Sequence, residues 1–202
     1  MKSLISKAIF IAILLLGYFI TVPYAQSGKM NTVLIKQIDS MFKSDQFWRK
    51  EFVKVQHKER SVYSDETIQS KWSETDSINE LKAKAIIKKY GYPGYDLVGE
   101  SSDNFWAIIQ HCDDDIAFQE HVVALMKKQV DKNNASKRNY AYLTDRILVN
   151  KNQKQIYGTQ LSRDNKTGKF SAFPLKYPKL VDKLREQVGL EPLADYIKGF
   201  DR

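Results

Sequence analysis

The stretch that decides the fold is residues 136–173, SKRNYAYLTDRILVNKNQKQIYGTQLSRDNKTGKFSAF, because the spacing of its apolar residues changes along it. The first part has the apolar spacing of a helix, and Ser136 is placed to cap its N-terminus. The later part alternates and is interrupted by turn residues. Short strands are predicted at 147–150, 154–159 and 169–173, with turns at 151–153 and 164–168.

The chain on either side of this stretch has the periodicity of helices. A first helix is predicted from Leu34 to Phe42, with a new start at Ser44 and Asp45 and a polar loop at 55–66. A long helix follows at 68–90, with Ile78, Leu81, Ala85 and Ile86 on its apolar stripe. Further helices are predicted from near Asp103 to Ile109, after the Asp113–Asp115 cap, and at 180–188 and 192–197.

These elements together predict the fold class. We expect one mostly helical α+β domain over residues 28–202, with a small antiparallel β-hairpin or sheet near 147–173. A chain of this length buries a sizeable core. Cys112 is the single cysteine, so an internal disulfide is excluded and packing must stabilise the domain.

The first 27 residues have the pattern of a signal peptide. Lys2 and Lys7 precede an uncharged apolar run at 8–22, and small residues follow at Ala25 and Ser27. The run is shorter than the roughly 20 residues of a membrane-spanning helix. Cleavage after Ala25 or Ser27 therefore predicts a secreted or periplasmic protein, and the alternative is an uncleaved N-terminal anchor.

Charge is distributed unevenly along the chain. Residues 28–120 carry 13 Lys and Arg against 16 Asp and Glu, whereas residues 121–202 carry 17 against 8. The basic C-terminal half could meet an anionic ligand, a glycan or a membrane surface, or it could simply be solvated. No motif indicates nucleic-acid binding, a metal site or another cofactor, so none of these is expected.

A histidine beside acidic residues is the first candidate for chemistry. His111 lies two residues before Asp113, in the stretch Gln110–Asp115, and could act as a general base or a metal ligand. One histidine makes an incomplete metal site. The alternative is structural, with His111 at a helix end and the aspartates as caps.

Two further polar groups follow later in the chain. Asp145 and Arg146 lie where a helix is predicted to give way to a strand, and Arg146 could hold an anionic group or form a structural ion pair. In the predicted strand at 154–159, Gln155, Tyr157 and Thr159 would point to one face, with Gln160 just beyond it. This face could contact a ligand or solvent.

The order of these motifs resembles a bacterial family of unknown function, DUF6624. The resemblance rests on Gln110-His-x-Asp113, Ala141-Tyr-Leu-x-Asp-Arg146 and Gln155-x-Tyr-Gly-Thr-Gln160, and it covers about residues 76–197. The resemblance implies no known activity, but it implies that the polar residues belong to one shared pattern. Those residues are His111, Asp113, Asp145, Arg146, Gln155, Tyr157 and Gln160.

Two functions fit these observations. The first is an exported binding or structural module in which the polar residues connect the helices to the hairpin. The alternative is an exported hydrolase-like enzyme, with His111 as general base and Asp113 or Asp145 orienting it. In that case Arg146 would hold an anionic part of the substrate, and Gln155, Tyr157 and Gln160 would position it.

Overall fold

A computed structural model describes residues 30–200, and the predicted signal peptide at 1–27 lies outside them. Eight helices and two strands occupy the described range, which confirms the mostly helical α+β class with a small antiparallel sheet. They are α1 Thr32–Gln56, α2 Asp65–Tyr90, α3 Tyr95–Val98, α4 Ser101–Ile109, α5 Ile116–Val130, α6 Lys137–Asn150, β1 Leu161–Arg163, β2 Phe170–Ala172, α7 Val181–Gln187 and α8 Leu193–Phe200.

The core lies where five of the helices, α1, α2, α4, α5 and α6, turn their apolar faces together. On α1 the buried residues Leu34, Ile38 and Met41 recur at helical spacing. Phe105 of α4 and Leu143 of α6 are fully buried against the same cluster. Each such side chain contributes about 1.5–3 kcal/mol when it leaves water, so this core supplies most of the stabilisation.

The predicted new helix start at Ser44 and Asp45 was wrong, because α1 runs through both residues without a break. The Ser44 hydroxyl donates to the Met41 carbonyl oxygen within the helix at 2.8 Å. The Asp45 side chain is 1% exposed and faces the protein interior. Both polar groups therefore bind elsewhere and do not cap a helix N-terminus.

Helix α2 has the predicted end, but its buried face matches the predicted apolar stripe only in part. It begins after Ser64, whose side chain accepts from the Thr67 N–H, and it ends before Gly91 at φ +68°. Of the predicted apolar stripe, Ile86 is buried, but Ile78 and Leu81 are 43% and 69% exposed. The polar residue Asn79 is buried on this helix instead. Its side-chain amide donates to the Met41 carbonyl oxygen, so its burial leaves this donor satisfied.

The predicted strand at 147–150 was wrong, because α6 continues to Asn150. Ile147 is buried four residues after Leu143, so one more helical turn extends the core contact. Residues 154–159 form no strand either and follow an irregular path with one isolated bridge, Gln155 to Leu175.

The small sheet is formed further along the chain than the first two predicted strands. Strands β1 and β2 pair antiparallel, with Ser162 opposite Ser171. The predicted turn at 164–168 and the predicted strand near 169–173 are confirmed. Asp164 fixes this turn, because its Oδ1 accepts from the backbone N–H groups of Lys166 and Thr167.

Two predicted helix caps are also confirmed. The Asp115 side chain accepts from the Phe118 N–H at the start of α5, and Ser136 accepts from the Asn139 N–H at the start of α6. Within residues 30–200, no helix combines the length and apolarity that crossing a bilayer requires.

Candidate functional site

His111 lies directly after α4, where the chain turns toward α5, and its ring reaches the middle of α1. Its Nδ1 atom is 2.8 Å from Oδ1 of Asp45, 66 residues earlier in the sequence. The His111 side chain is 16% exposed and that of Asp45 is 1% exposed. The imidazole therefore has one buried edge against a carboxylate and one edge near the surface.

Arg49 holds Asp45 on its other side. The Arg49 Nε and Nη2 groups, one turn along α1, donate to the Asp45 carboxylate at 3.1–3.2 Å. Burial alone would raise the pKa of Asp45, but the hydrogen bond and charge of His111 and the Arg49 guanidinium outweigh it. The pKa of Asp45 falls to about 2, so this carboxylate is ionised at neutral pH.

The protonation of His111 follows from these contacts. Burial lowers the pKa of His111, and the Asp45 carboxylate opposes that shift without cancelling it. The ring is therefore neutral at pH 7, and its proton lies on Nδ1, where it is donated to Asp45. Among residues 30–200, Nε2 has no hydrogen-bond partner. Its lone pair is therefore available to accept a proton or a hydrogen bond.

A second carboxylate, Asp76 of α2, completes what we name the histidine cluster: Asp45, Arg49, Asp76 and His111. Arg49 Nη2 donates to Asp76 Oδ1 at 2.7 Å, and the Trp72 indole N–H donates to Oδ2 at 2.8 Å. Burial raises the pKa of Asp76 to about 6, and the charge of Asp45 adds to the rise while Arg49 opposes it. The two carboxylates thus differ strongly in acidity.

The donor atoms of the cluster have the composition of a metal site. One atom each from Asp45, Asp76 and His111 lie within 4.8 Å of one another, and histidine with carboxylates suits Zn²⁺ or another first-row transition metal. Arg49, however, donates to both carboxylates and lies between them as their cation. A metal ion would have to displace this guanidinium, so the geometry fits an ion-pair network better than a metal centre.

Asp113 and Arg146 form an ion pair beside the histidine cluster. Arg146 donates from Nε to Asp113 Oδ1 at 2.8 Å and from Nη2 to Oδ2, while Asn150 adds a bond of 2.9 Å. Although burial opposes the shift, the hydrogen bond and charge of Arg146 lower the pKa of Asp113. The residue that orients His111 is nevertheless Asp45, in place of the predicted Asp113 or Asp145.

Asp145 does not bind His111 but organises the irregular segment after α6. Its Oδ1 accepts from the Ile156 and Tyr157 N–H groups at 2.7 and 3.1 Å, and its Oδ2 accepts from the Thr159 N–H at 2.9 Å. The side chain is fully buried. Burial raises the pKa of Asp145 although these hydrogen bonds oppose the shift.

Gln155 and Gln160 belong to the same arrangement. The Gln155 amide donates to the carbonyl oxygens of Gln160 and Phe173 at 3.0 and 2.9 Å, and its Oε1 accepts from the Gln160 N–H. Gln160 in turn donates to the Thr159 hydroxyl. We name Asp145, Gln155, Thr159 and Gln160 the Asp145 brace, because their polar groups hold residues 155–160 in one conformation.

Arg185 of α7 closes this segment from the other side. Its side chain is fully buried and donates to the carbonyl oxygens of Glu191 and Tyr157, at 2.5 and 2.8 Å. The guanidinium also lies 4.7 Å from the Tyr196 ring, and the Tyr196 hydroxyl donates to the Thr159 carbonyl oxygen. The backbone of residues 157–159 is therefore held by α6, α7 and α8 together.

The seven sequence-predicted site residues thus fall into two groups. His111, Asp113 and Arg146 lie together, and Asp145, Gln155 and Gln160 lie in the brace with the backbone of Tyr157. Their predicted catalytic and ligand-binding roles stay predictions. Sequence reasoning missed Asp45, Arg49, Trp72 and Asp76, although Asp45 with Arg49 and Trp72 with Asp76 are pairs spaced by one helical turn, which is a visible signal.

These features define a mostly helical α+β protein with two polar networks joined by α6. The chain belongs to a family of unknown function, DUF6624, whose family model matches residues 33–202. The match is longer than the predicted resemblance at 76–197 and includes α1 with Asp45 and Arg49. Searches of curated proteins and of solved structures find no match.

Proposed function

We propose that the protein is exported through residues 1–27 and works as a binding module for an anionic partner. The export proposal rests on the charge, apolar run and small residues of the leader. Its test is the mass of the protein recovered from the envelope or the medium of its host. Loss of residues 1–25 or 1–27 is expected, and a full-length mass would contradict cleavage.

The observation that carries the binding proposal is the exposed positive charge of residues 151–183. Basic side chains without an ion-pair partner in the described part of the chain are Lys154, Arg163, Lys166, Lys169, Lys176, Lys179 and Lys183. Lysines without acidic partners attract anions and favour encounter with a negatively charged surface.

The Asp145 brace supports a binding role for the same region. Asp145 and Gln155 use their polar atoms on the backbone of residues 156–160, so they are engaged internally and hold the segment rigid. A rigid surface loses less conformational entropy when a partner binds. The brace therefore favours a preformed binding surface next to the hairpin.

A soluble polyanion tests this proposal directly. We expect the protein to bind fluorescently labelled polyphosphate in an anisotropy titration, with an affinity that falls steeply as salt is added. The triple change Lys166→Gln, Lys169→Gln and Lys176→Gln should weaken binding. No binding at low ionic strength, or equal binding by this variant, would contradict the proposal.

The second candidate is a hydrolase-like enzyme, and the His111–Asp45 pair is the observation that favours it. A carboxylate on Nδ1 fixes the tautomer in which Nε2 can accept a proton from an attacking water. Wild-type protein should then hydrolyse members of a panel of chromogenic carboxylic and phosphate esters. His111→Gln and Asp45→Asn should both abolish the rate, and turnover equal to buffer alone would remove this candidate.

A further inference from the structure

Four lysines and two apolar side chains share one exposed region around the start of α7. We name this region the basic surface: Lys154, Lys176, Tyr177, Lys179, Leu180 and Lys183. We propose that the basic surface docks the protein on a membrane with anionic headgroups. This inference rests on the proposed function and specifies the anionic partner as a lipid bilayer.

Backbone hydrogen bonds bring these residues together. The Lys176 N–H donates to the Gln155 carbonyl oxygen at 2.8 Å, so Lys154 and Lys176 lie on either side of the isolated bridge. The Leu180 N–H donates to the Tyr177 carbonyl oxygen at 3.0 Å, which turns the chain into α7. Lys183 follows Leu180 by three residues, a spacing that places both on one side of the helix.

The charges of the lysines in the basic surface are available to a binding partner. None of the four forms an ion pair with residues 30–200, and Lys176 instead lies over the Tyr177 ring at 5.4 Å. Two exposed acidic residues, Asp182 and Glu186, lie on α7 near these lysines. Asp182 is engaged in accepting the Leu193 N–H at 2.8 Å, and Glu186 lies one turn further along α7. The local balance therefore remains positive.

The apolar residues distinguish a membrane from a soluble polyanion. Tyr177 is 43% exposed and Leu180 is 54% exposed, although both lie among lysines. A glycan or a free phosphate gains attraction from the lysines but nothing from a leucine. A bilayer gains from both, because Leu180 and Tyr177 enter the headgroup boundary while the lysine heads stay at the lipid phosphates.

Vesicle binding tests the proposal on the protein as the host produces it. We expect co-sedimentation with vesicles of equal phosphatidylglycerol and phosphatidylcholine, little with pure phosphatidylcholine, and loss at high salt. The variant Lys176→Gln, Lys179→Gln and Lys183→Gln should bind roughly 100-fold more weakly, at roughly fivefold for each lysine.

A matched control removes the same charge from another face. Lys36, Lys43 and Lys50 are exposed, lie seven residues apart along α1, and have no ion-pair partner in the described range. Changing all three to glutamine should alter vesicle affinity less than about threefold. Each variant keeps the same N-terminus, so any contribution from the leader is equal in all of them.

Leu180→Ser separates the membrane proposal from the wider binding proposal. It should weaken vesicle binding roughly five- to tenfold and leave polyphosphate binding unchanged. Polyphosphate binding without vesicle binding, or vesicle binding unaffected by Leu180→Ser, would overturn the membrane proposal and leave the binding module standing. If the wild type bound neither polyphosphate nor vesicles, both the binding-module proposal and the membrane proposal would be overturned. If the α1 control weakened vesicle binding as much as the triple lysine variant does, the assignment of membrane binding to the basic surface would be overturned.

Discussion

Replacing Asp145 with asparagine tests the brace, because the carboxylate accepts three backbone N–H groups at once. The N–H groups of Ile156 and Tyr157 donate to Oδ1. The N–H group and the hydroxyl of Thr159 both donate to Oδ2. An asparagine keeps one acceptor oxygen and turns an NH₂ group toward the remaining donors. At least one buried N–H then loses its partner.

The expected cost can be worked out from the burial of each donor. Thr159 is 4% exposed, so its orphaned N–H costs about 1–3 kcal/mol. Ile156 and Tyr157 are partly exposed and can turn to water, which reduces each loss to about 0.5–1.5 kcal/mol. Because asparagine keeps one of the two oxygens, either Thr159 or the pair Ile156 and Tyr157 loses its acceptor, so we expect Asp145→Asn to lower the free energy of unfolding by about 1–3 kcal/mol. Asp145→Ala removes both oxygens and should cost more.

Urea unfolding followed by tryptophan fluorescence measures this loss, and amide hydrogen exchange locates it. Protection should fall first at Thr159 and Ile156, while amides in the α1 core keep theirs. Asp131→Ala serves as a control, because it breaks an exposed pair with Lys127 and should change stability by less than about 1 kcal/mol. A change below about 1 kcal/mol in Asp145→Asn, with Thr159 still protected, would refute the reasoning.

Three other changes test the histidine cluster, a close backbone contact and the core. The pKa of Asp76 is raised to about 6 from an ordinary value of 3.8, so its stabilising contribution is complete below pH 4 and lost as the pH rises through 6. Asp76→Asn should remove this part of the pH dependence of unfolding, and an unaltered profile would contradict the assignment. Gly94→Ala should cost about 1–3 kcal/mol in a thermal melt, because the new Cβ would lie 2.6 Å from the Asn134 carbonyl oxygen. Phe105→Ala should cost about 3–5 kcal/mol by the same measurement, since the ring is fully buried, and a smaller loss would mean that the core refills the space.

Local sequence rules predicted the elements whose causes are local. Asp115 and Ser136 cap the next helix with their own side chains, and the turn at 164–168 is fixed by Asp164 within four residues. These signals need no knowledge of the rest of the chain. The fold class followed from them, because helix starts and one hairpin turn suffice to separate α+β from all-helical proteins.

The candidate site depended on distant partners and could not be predicted in the same way. Asp45 has the appearance of a helix cap in sequence, and only the packing of α1 against the end of α4 brings it to His111. Residues 154–159 alternate like a strand, but the N–H groups of Ile156, Tyr157 and Thr159 bind a carboxylate instead of a neighbouring strand. Alternation reports which side chains are polar and says nothing about where the backbone N–H groups are satisfied.

The adjacent pair Asp145 and Arg146 shows how one helix connects both networks. Neighbouring residues on a helix point about 100° apart, so the two side chains cannot serve the same group. Asp145 turns to the segment at 156–159, and Arg146 turns to Asp113 beside His111. Asp145 and Arg146 therefore do not pair with each other, and each connects α6 to a different polar network. A rotation of α6 that improved one set of contacts would strain the other, which gives both networks a physical reason to hold α6 in one orientation.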